Sequence, residues 1–163
     1  MVYYAIVLTV LLALGVRTHI RAWDWTSDIV IWQSAARLSP YKPRPQYNYG
    51  LHEEYAGNYG RAQTAYQRAI ILSLSSSRNH YQQGHIYVAS SVGLARVLAV
   101  NNEVQPAFDI LDKVIKVYPD AADAVFLKGT ILSALGRCEQ GQALITKARL
   151  LRPDLAAFPC PSG

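Results

Sequence analysis

The sequence predicts an all-α protein: an N-terminal transmembrane helix followed by a solenoid of helix-turn-helix repeats. Three observations predict it. Val2 to Val16 contains no charged side chain. Pro119 and Pro153 stand 34 residues apart, and each closes an apolar helical run, ILDKVIKVYPD and ALITKARLLRPD. At that same offset small and large positions recur together, with Ala95 over Gly129, Leu98 over Leu132, Ala107 over Gly141 and Leu111 over Ile145. A fixed period of this length marks stacked helical hairpins, none of which buries its apolar face alone.

The first element is an anchor over residues 1–22. At 1.5 Å per residue its uncharged run spans roughly 22 Å, short of the ~30 Å hydrocarbon core. The flanks close the gap: Tyr3 and Tyr4 at one end, Trp23 and Trp25 at the other, with Arg17 and Arg21 extending toward headgroups. Ala13-Leu14-Gly15 resembles a signal-peptidase site, but no Lys or Arg precedes the apolar run as a signal peptide requires. A buried core helix of this length would leave the aromatic flanks unexplained.

Residues 23–42 form a half-repeat helix and linker, DWTSDIVIWQSAARLSP, with Asp24 or Thr26 as its cap. Three repeats then occupy 43–76, 88–121 and 122–155 within a repeat region of 43–157, and a tail covers 158–163. Between the first and second the register slips by the eleven residues 77–87. Eleven residues make three helical turns to within about 20°, so the insertion lengthens the helix leading into Val88 without rotating its apolar face. The second repeat is the least regular: Pro106 opens its second helix and Asn102 stands where the other two have glycine.

The pattern resembles the tetratricopeptide repeat (TPR), with small residues at positions 8 and 20, a large one at 24, Ala at 27 and Pro at 32. In the first repeat Gly50, Gly57, Tyr59, Ala62, Tyr66 and Ala69 fall at positions 8, 15, 17, 20, 24 and 27. Small residues let the paired helices approach closely, and proline ends the second helix. The junction is also similar to that of polytopic TPR proteins related to O-mannosyltransferases. Arg21, Trp25, Asp28, Trp32, Ser39, Pro40, Arg44, Pro45, Asn48 and Gly50 lie on that pattern. In such proteins the sugar-transfer residues lie in many upstream helices, whereas this chain opens on one, so only the repeat module carries over.

The TPR resemblance implies a concave groove lined by positions 2, 5, 9 and 12 of each first helix. These are Arg44, Tyr47, Leu51 and Glu54, then Ala89, Val92, Arg96 and Ala99, then Asp123, Phe126, Thr130 and Ser133. The Lys and Asn pairs that clamp a C-terminal carboxylate in chaperone-binding members are missing. Tyr47 and Phe126 are the expected anchors, since rigid aromatics dominate interface energies; packing between helices is their alternative role.

Catalytic signatures are scarce. His52-Glu53 has no second histidine at helical spacing, and His80 and His85 lie about 140° apart around a helix, which does not suit a shared metal. Asp109 and Asp112 share a face and read as a solvated surface. No phosphate-binding glycine loop occurs. The expectation is a protein that is not an enzyme and needs no cofactor or metal.

The net charge is +5, with basic residues outnumbering acidic ones from Arg17 to Arg78. No nucleic-acid-binding signature accompanies that bias, so the membrane surface is the expected partner rather than nucleic acid. Only 17% of residues are charged, low for a chain wholly in water. Cys138 and Cys160 are either unrelated thiols or one disulfide, and a tail of seven residues beyond Pro153 reaches roughly 25 Å, enough to run back along a helix of about 14 residues.

The expected function is a membrane-anchored scaffold holding a protein partner, as an accessory subunit of a larger assembly. Two alternatives stand beside it: a detached relative of a membrane glycosyltransferase, and a self-assembling homo-oligomer, because repeat stacks are open-ended. Arg17, His19 and Arg21 after the anchor favour cytoplasmic repeats. The family resemblance and a Cys138–Cys160 disulfide favour the opposite side, and the extracytoplasmic side is the expectation adopted.

Overall fold

The computed structural model describes residues 2–23, 25, 27–75 and 80–160, without the side chains of Val2, Arg21, Trp23 and residues 80–83. Among the described residues there are eight helices and no strand: α1 (Val2–Trp23), α2 (Asp28–Leu38), α3 (Pro43–Tyr55), α4 (Tyr59–Ser75), α5 (His80–Val100), α6 (Val104–Val117), α7 (Ala122–Ala134) and α8 (Cys138–Leu151).

α1 stands apart. It packs against no other helix, and no residue from Tyr3 to Ile20 is buried. Among the described residues this segment is no part of the core. By length and composition α1 is able to cross a membrane. Tyr3, Tyr4 and Trp25 are strongly exposed, as is Arg17, whereas the expected interface side chains of Arg21 and Trp23 lie outside the described residues. So do Asp24 and Thr26, the expected caps of α2; Ser27 occupies the N-cap position in extended conformation, without a side-chain cap bond.

The remaining helices form hairpins whose turns repeat atom for atom. Gly57, Asn102 and Gly136 all adopt left-handed backbone, with φ of 77°, 65° and 78°. Around each, two amides reach back to the preceding helix: Gly57 to Glu54 and Asn58 to Glu53, Asn102 to Ala99 and Glu103 to Leu98, Gly136 to Ser133 and Arg137 to Leu132. These are the paired bonds of a Schellman cap, which satisfies the last carbonyls of a helix. The ends of α2, α6 and α8 repeat too, with Ser39, Tyr118 and Arg152 donating their N–H to the carbonyls of Ala35, Val114 and Ala148.

One local expectation shifts: Pro106 is the third residue of α6, not its opening, and its missing N–H falls in the first turn, where no helical partner exists. Cys138 opens α8. The insertion, of which residues 77–79 lie outside the described residues, continues as helix: α5 begins at His80 and runs 21 residues. α4 also runs on to Ser75, because Leu74 stands at the place where proline ends the other second helices.

α5 is the central column, touching α3, α4, α6 and α7. It supplies Val92, Leu94, Ala95, Val97 and Leu98 to the core, which closes with Ala62 and Tyr66 of α4 and Ala107, Leu111 and Val114 of α6. The first helices α3, α5 and α7 touch in succession, while among the described residues the backbones of α2, α4, α6 and α8 do not approach one another closely. α3, α5 and α7 thus share one side of the stack, called here its inner face. At the far end the tail doubles back along α8, pinned by a Cys138–Cys160 disulfide with Cα atoms 5.7 Å apart. A bond of 2.6 Å from Gln142 Nε2 to the Phe158 carbonyl holds the same segment.

Candidate functional site

The inner face is built around one buried ring. Tyr66 of α4 has no solvent exposure and lies between Gly50 of α3 and Gly93 of α5. A Cβ at Gly50 would come within 3.0 Å of that ring, and one at Gly93 within 2.5 Å. The two glycines therefore open the slot that the tyrosine fills, and the ring joins the first hairpin to the second.

The Tyr66 hydroxyl donates to Glu54 Oε2 at 2.6 Å. Arg96 Nη2 donates to the same oxygen at 3.0 Å, and its Nε donates to Oε1. Glu54 is nearly buried, its side chain 10% exposed, against 44% for Arg96. Burial, and then the Glu54 carboxylate beside it, raise the Tyr66 pKa far above its usual value. The bond to Glu54 holds Arg96 firmly as a cation, against the opposing effect of its own desolvation. Tyr47 packs its ring 6.1 Å from that of Tyr66. Burial raises the Tyr47 pKa, Arg96 lowers it, and Tyr55, Asp123 and Glu54 raise it further.

This changes the reading of the groove. Arg96 and Glu54 face one another across adjacent helices, so neither is a free charge awaiting a ligand. Arg44 is exposed, and Leu51 and Phe126 are half-buried. Thr130 turns its hydroxyl onto the Leu127 carbonyl at 2.9 Å. Val92 and Ser133 belong to the interior, and Ala99 packs against the core. Asp123 is held by Arg152, whose Nη1 donates to Oδ2 at 2.7 Å. That pair borders a cleft of about 510 Å³ at the rim of the inner face, lined also by Gly84, His85, Val88, Tyr118 and Asp120.

What remains available on the inner face is apolar and aromatic: Tyr47, Leu51 and Phe126, rimmed by Arg44 and by the half-exposed edge of Arg96. The Tyr66 hydroxyl is committed to Glu54, and Glu54 to two donors. His52, the histidine beside a glutamate in sequence, stacks on Trp32 at 6.5 Å between centroids and meets Tyr55 edge-on. Among the described residues no group of three or more His, Cys, Asp or Glu side chains could hold a metal ion.

Gly93 and the Glu54–Arg96 pair escaped the sequence. The signal for the pair existed: Glu54 at position 12 and Arg96 at position 9 lie on successive first helices with opposite charge. No protein-family model matches the chain, and no curated protein matches it either.

Proposed function

We propose that this chain is a membrane-anchored TPR-type scaffold that holds a protein partner beside the bilayer, as an accessory subunit of a larger assembly. One observation carries the proposal. A wholly uncovered apolar helix, α1, precedes a stack of helical hairpins that buries its own core. The uniform turns at Gly57, Asn102 and Gly136, with the residues at positions 8, 20 and 24, support the TPR assignment. Tyr47 and Phe126 serve as the anchors of the groove, with Leu51 beside Tyr47 on α3 and Arg44 at the rim.

The repeats lie on the extracytoplasmic side in this reading, because a Cys138–Cys160 disulfide persists only in an oxidising compartment. Affinity purification from native membranes tests the scaffold. A stoichiometric protein partner is expected, reduced more than about tenfold by Tyr47→Ala with Phe126→Ala, as for two buried aromatic anchors. A partner retained by a folded double variant, or none with the natural chain, overturns the reading. Labelling of Lys116→Cys in intact cells by an impermeant thiol reagent tests the side; labelling only after lysis places the repeats in the cytoplasm.

A further inference from the structure

The α2–α3 turn stands at the edge of the stack, its Arg44 at the rim of the inner face, and it is built firmly. Ser39 N–H donates to the Ala35 carbonyl, Lys42 N–H to the Ser39 carbonyl, and Gln46 Nε2, buried, to the Ala36 carbonyl at 3.1 Å. Pro40 and Pro43 restrict the backbone between them. On this fixed turn two large apolar residues face water, Leu38 at 63% and Tyr41 at 85% exposure. Arg37, Lys42 and Arg44 flank them, all exposed and with no ionic or hydrogen-bonding partner among the described residues. From Ile29 to His52 the chain contains no acidic residue. A cluster of unpaired cations around an exposed aromatic and a leucine matches an interfacial lipid contact. Cations meet phosphates there, while the apolar side chains enter the headgroup boundary.

Chain length supports the same occupant. α2 is about 16 Å long at 1.5 Å per residue. The four residues between α1 and α2 add at most about 13 Å. The turn is therefore tethered within about 30 Å of the end of α1 and meets a bilayer surface at high local concentration.

We propose that the α2–α3 turn, through Arg37, Lys42, Arg44, Leu38 and Tyr41, docks on anionic lipid headgroups and lays the repeat stack against the membrane. The proposal rests on α1 spanning the bilayer. The stack is then held at two points, and the inner face has a fixed orientation to the surface. Each cation near an anionic surface favours the docked state roughly fivefold, so the three together contribute on the order of a hundredfold.

The test uses the full chain in nanodiscs of phosphatidylcholine, with or without phosphatidylglycerol, and a nitroxide on Tyr41→Cys. In anionic discs the label becomes shielded from a water-soluble nickel chelate and accessible to oxygen. In neutral discs, or after Arg37→Gln, Lys42→Gln and Arg44→Gln together, it stays in water. A nitroxide on Lys116→Cys remains accessible to the chelate in both. Equal chelate access at residue 41 in the two lipids overturns the proposal, as does shielding at both sites, which would be unspecific adsorption. A nitroxide on Leu11→Cys reads the anchor separately: water accessibility there defeats the spanning helix, whatever residue 41 does. Should the triple variant fail to fold, raised salt on the natural turn, which screens the same attraction, must release the label; a salt-insensitive label overturns the proposal.

Discussion

Gly93 lies so close under the ring of Tyr66 that a Cβ there would stand 2.5 Å from Cζ, with Cε2 and Cε1 at 2.8 and 2.9 Å. The ring has nowhere to go, because Gly50 holds its other side at similar closeness and its hydroxyl is tied to Glu54. The joint between the first two hairpins is thus a slot of fixed width. Gly93→Ala removes an intrinsic helix penalty of about 1 kcal/mol but overpacks the slot at about 1–3 kcal/mol. The net expectation is a loss of about 1 kcal/mol in urea unfolding. Gly60→Ala is the control, since no atom lies within 4 Å of that Cβ and helix propensity alone favours the change.

The tyrosines give the domain an alkaline limit. Tyr47, Tyr49 and Tyr66 all have raised pKa values, first through burial. A raised folded-state pKa stabilises the fold fully below the unfolded value of about 10, and that contribution fades as pH climbs toward the folded value. Stability attributable to these groups is therefore level below about pH 9 and falls above about pH 10, at up to ~1.4 kcal/mol per pH unit for each tyrosine. Melting temperatures between neutral and strongly alkaline pH check this. Tyr66→Phe should flatten the decline while lowering the neutral-pH value through loss of the bond to Glu54.

The disulfide closes a loop with a sequence separation of 22. By loop entropy its removal costs about 3 kcal/mol. Cys160→Ser should lower the unfolding free energy by that order and free Phe158 from Gln142. Thiol titration under denaturing conditions should find no reactive cysteine before reduction and two after it. Reactive thiols in the unreduced protein would remove the strap.

How far the sequence reads through to the fold is visible at Asn102. Its substitution for a turn glycine marks the second repeat as irregular, yet it adopts φ of 65° and makes the same two backbone bonds as Gly57 and Gly136. Asparagine is one of the few other residues that tolerate the left-handed region. Helix boundaries and hairpin register follow from spacing because each turn is a local event. The Gly93–Tyr66 contact does not, since it spans the eleven-residue slip and depends on how α5 settles against α4. The Glu54–Arg96 pair was hidden for the same reason: two groove positions, treated separately along the chain, neutralise each other only once the helices are side by side. Asn102→Gly should relieve the remaining strain and stabilise by up to about 1 kcal/mol, measured by the shift of the denaturation midpoint.

The last prediction concerns α1. Its residues from Tyr3 to Ile20 are wholly unburied, and Gly15 has no atom within 4 Å of a built Cβ. The buried residues from Ala62 to Ile131 form one cluster without it. Deleting residues 1–16 should therefore yield a chain soluble without detergent, with its circular dichroism reduced only by the lost helix. Its unfolding free energy should change by no more than about 0.5 kcal/mol, the range expected for changes away from packed features. A large loss of cooperativity would mean that α1 contributes to the folded domain through contacts made only in the membrane. The same truncation removes the tether that holds the α2–α3 turn near a surface. Binding to anionic vesicles should then weaken sharply and become more salt-dependent, because the turn must hold the surface through its cations, Leu38 and Tyr41 without the inserted helix.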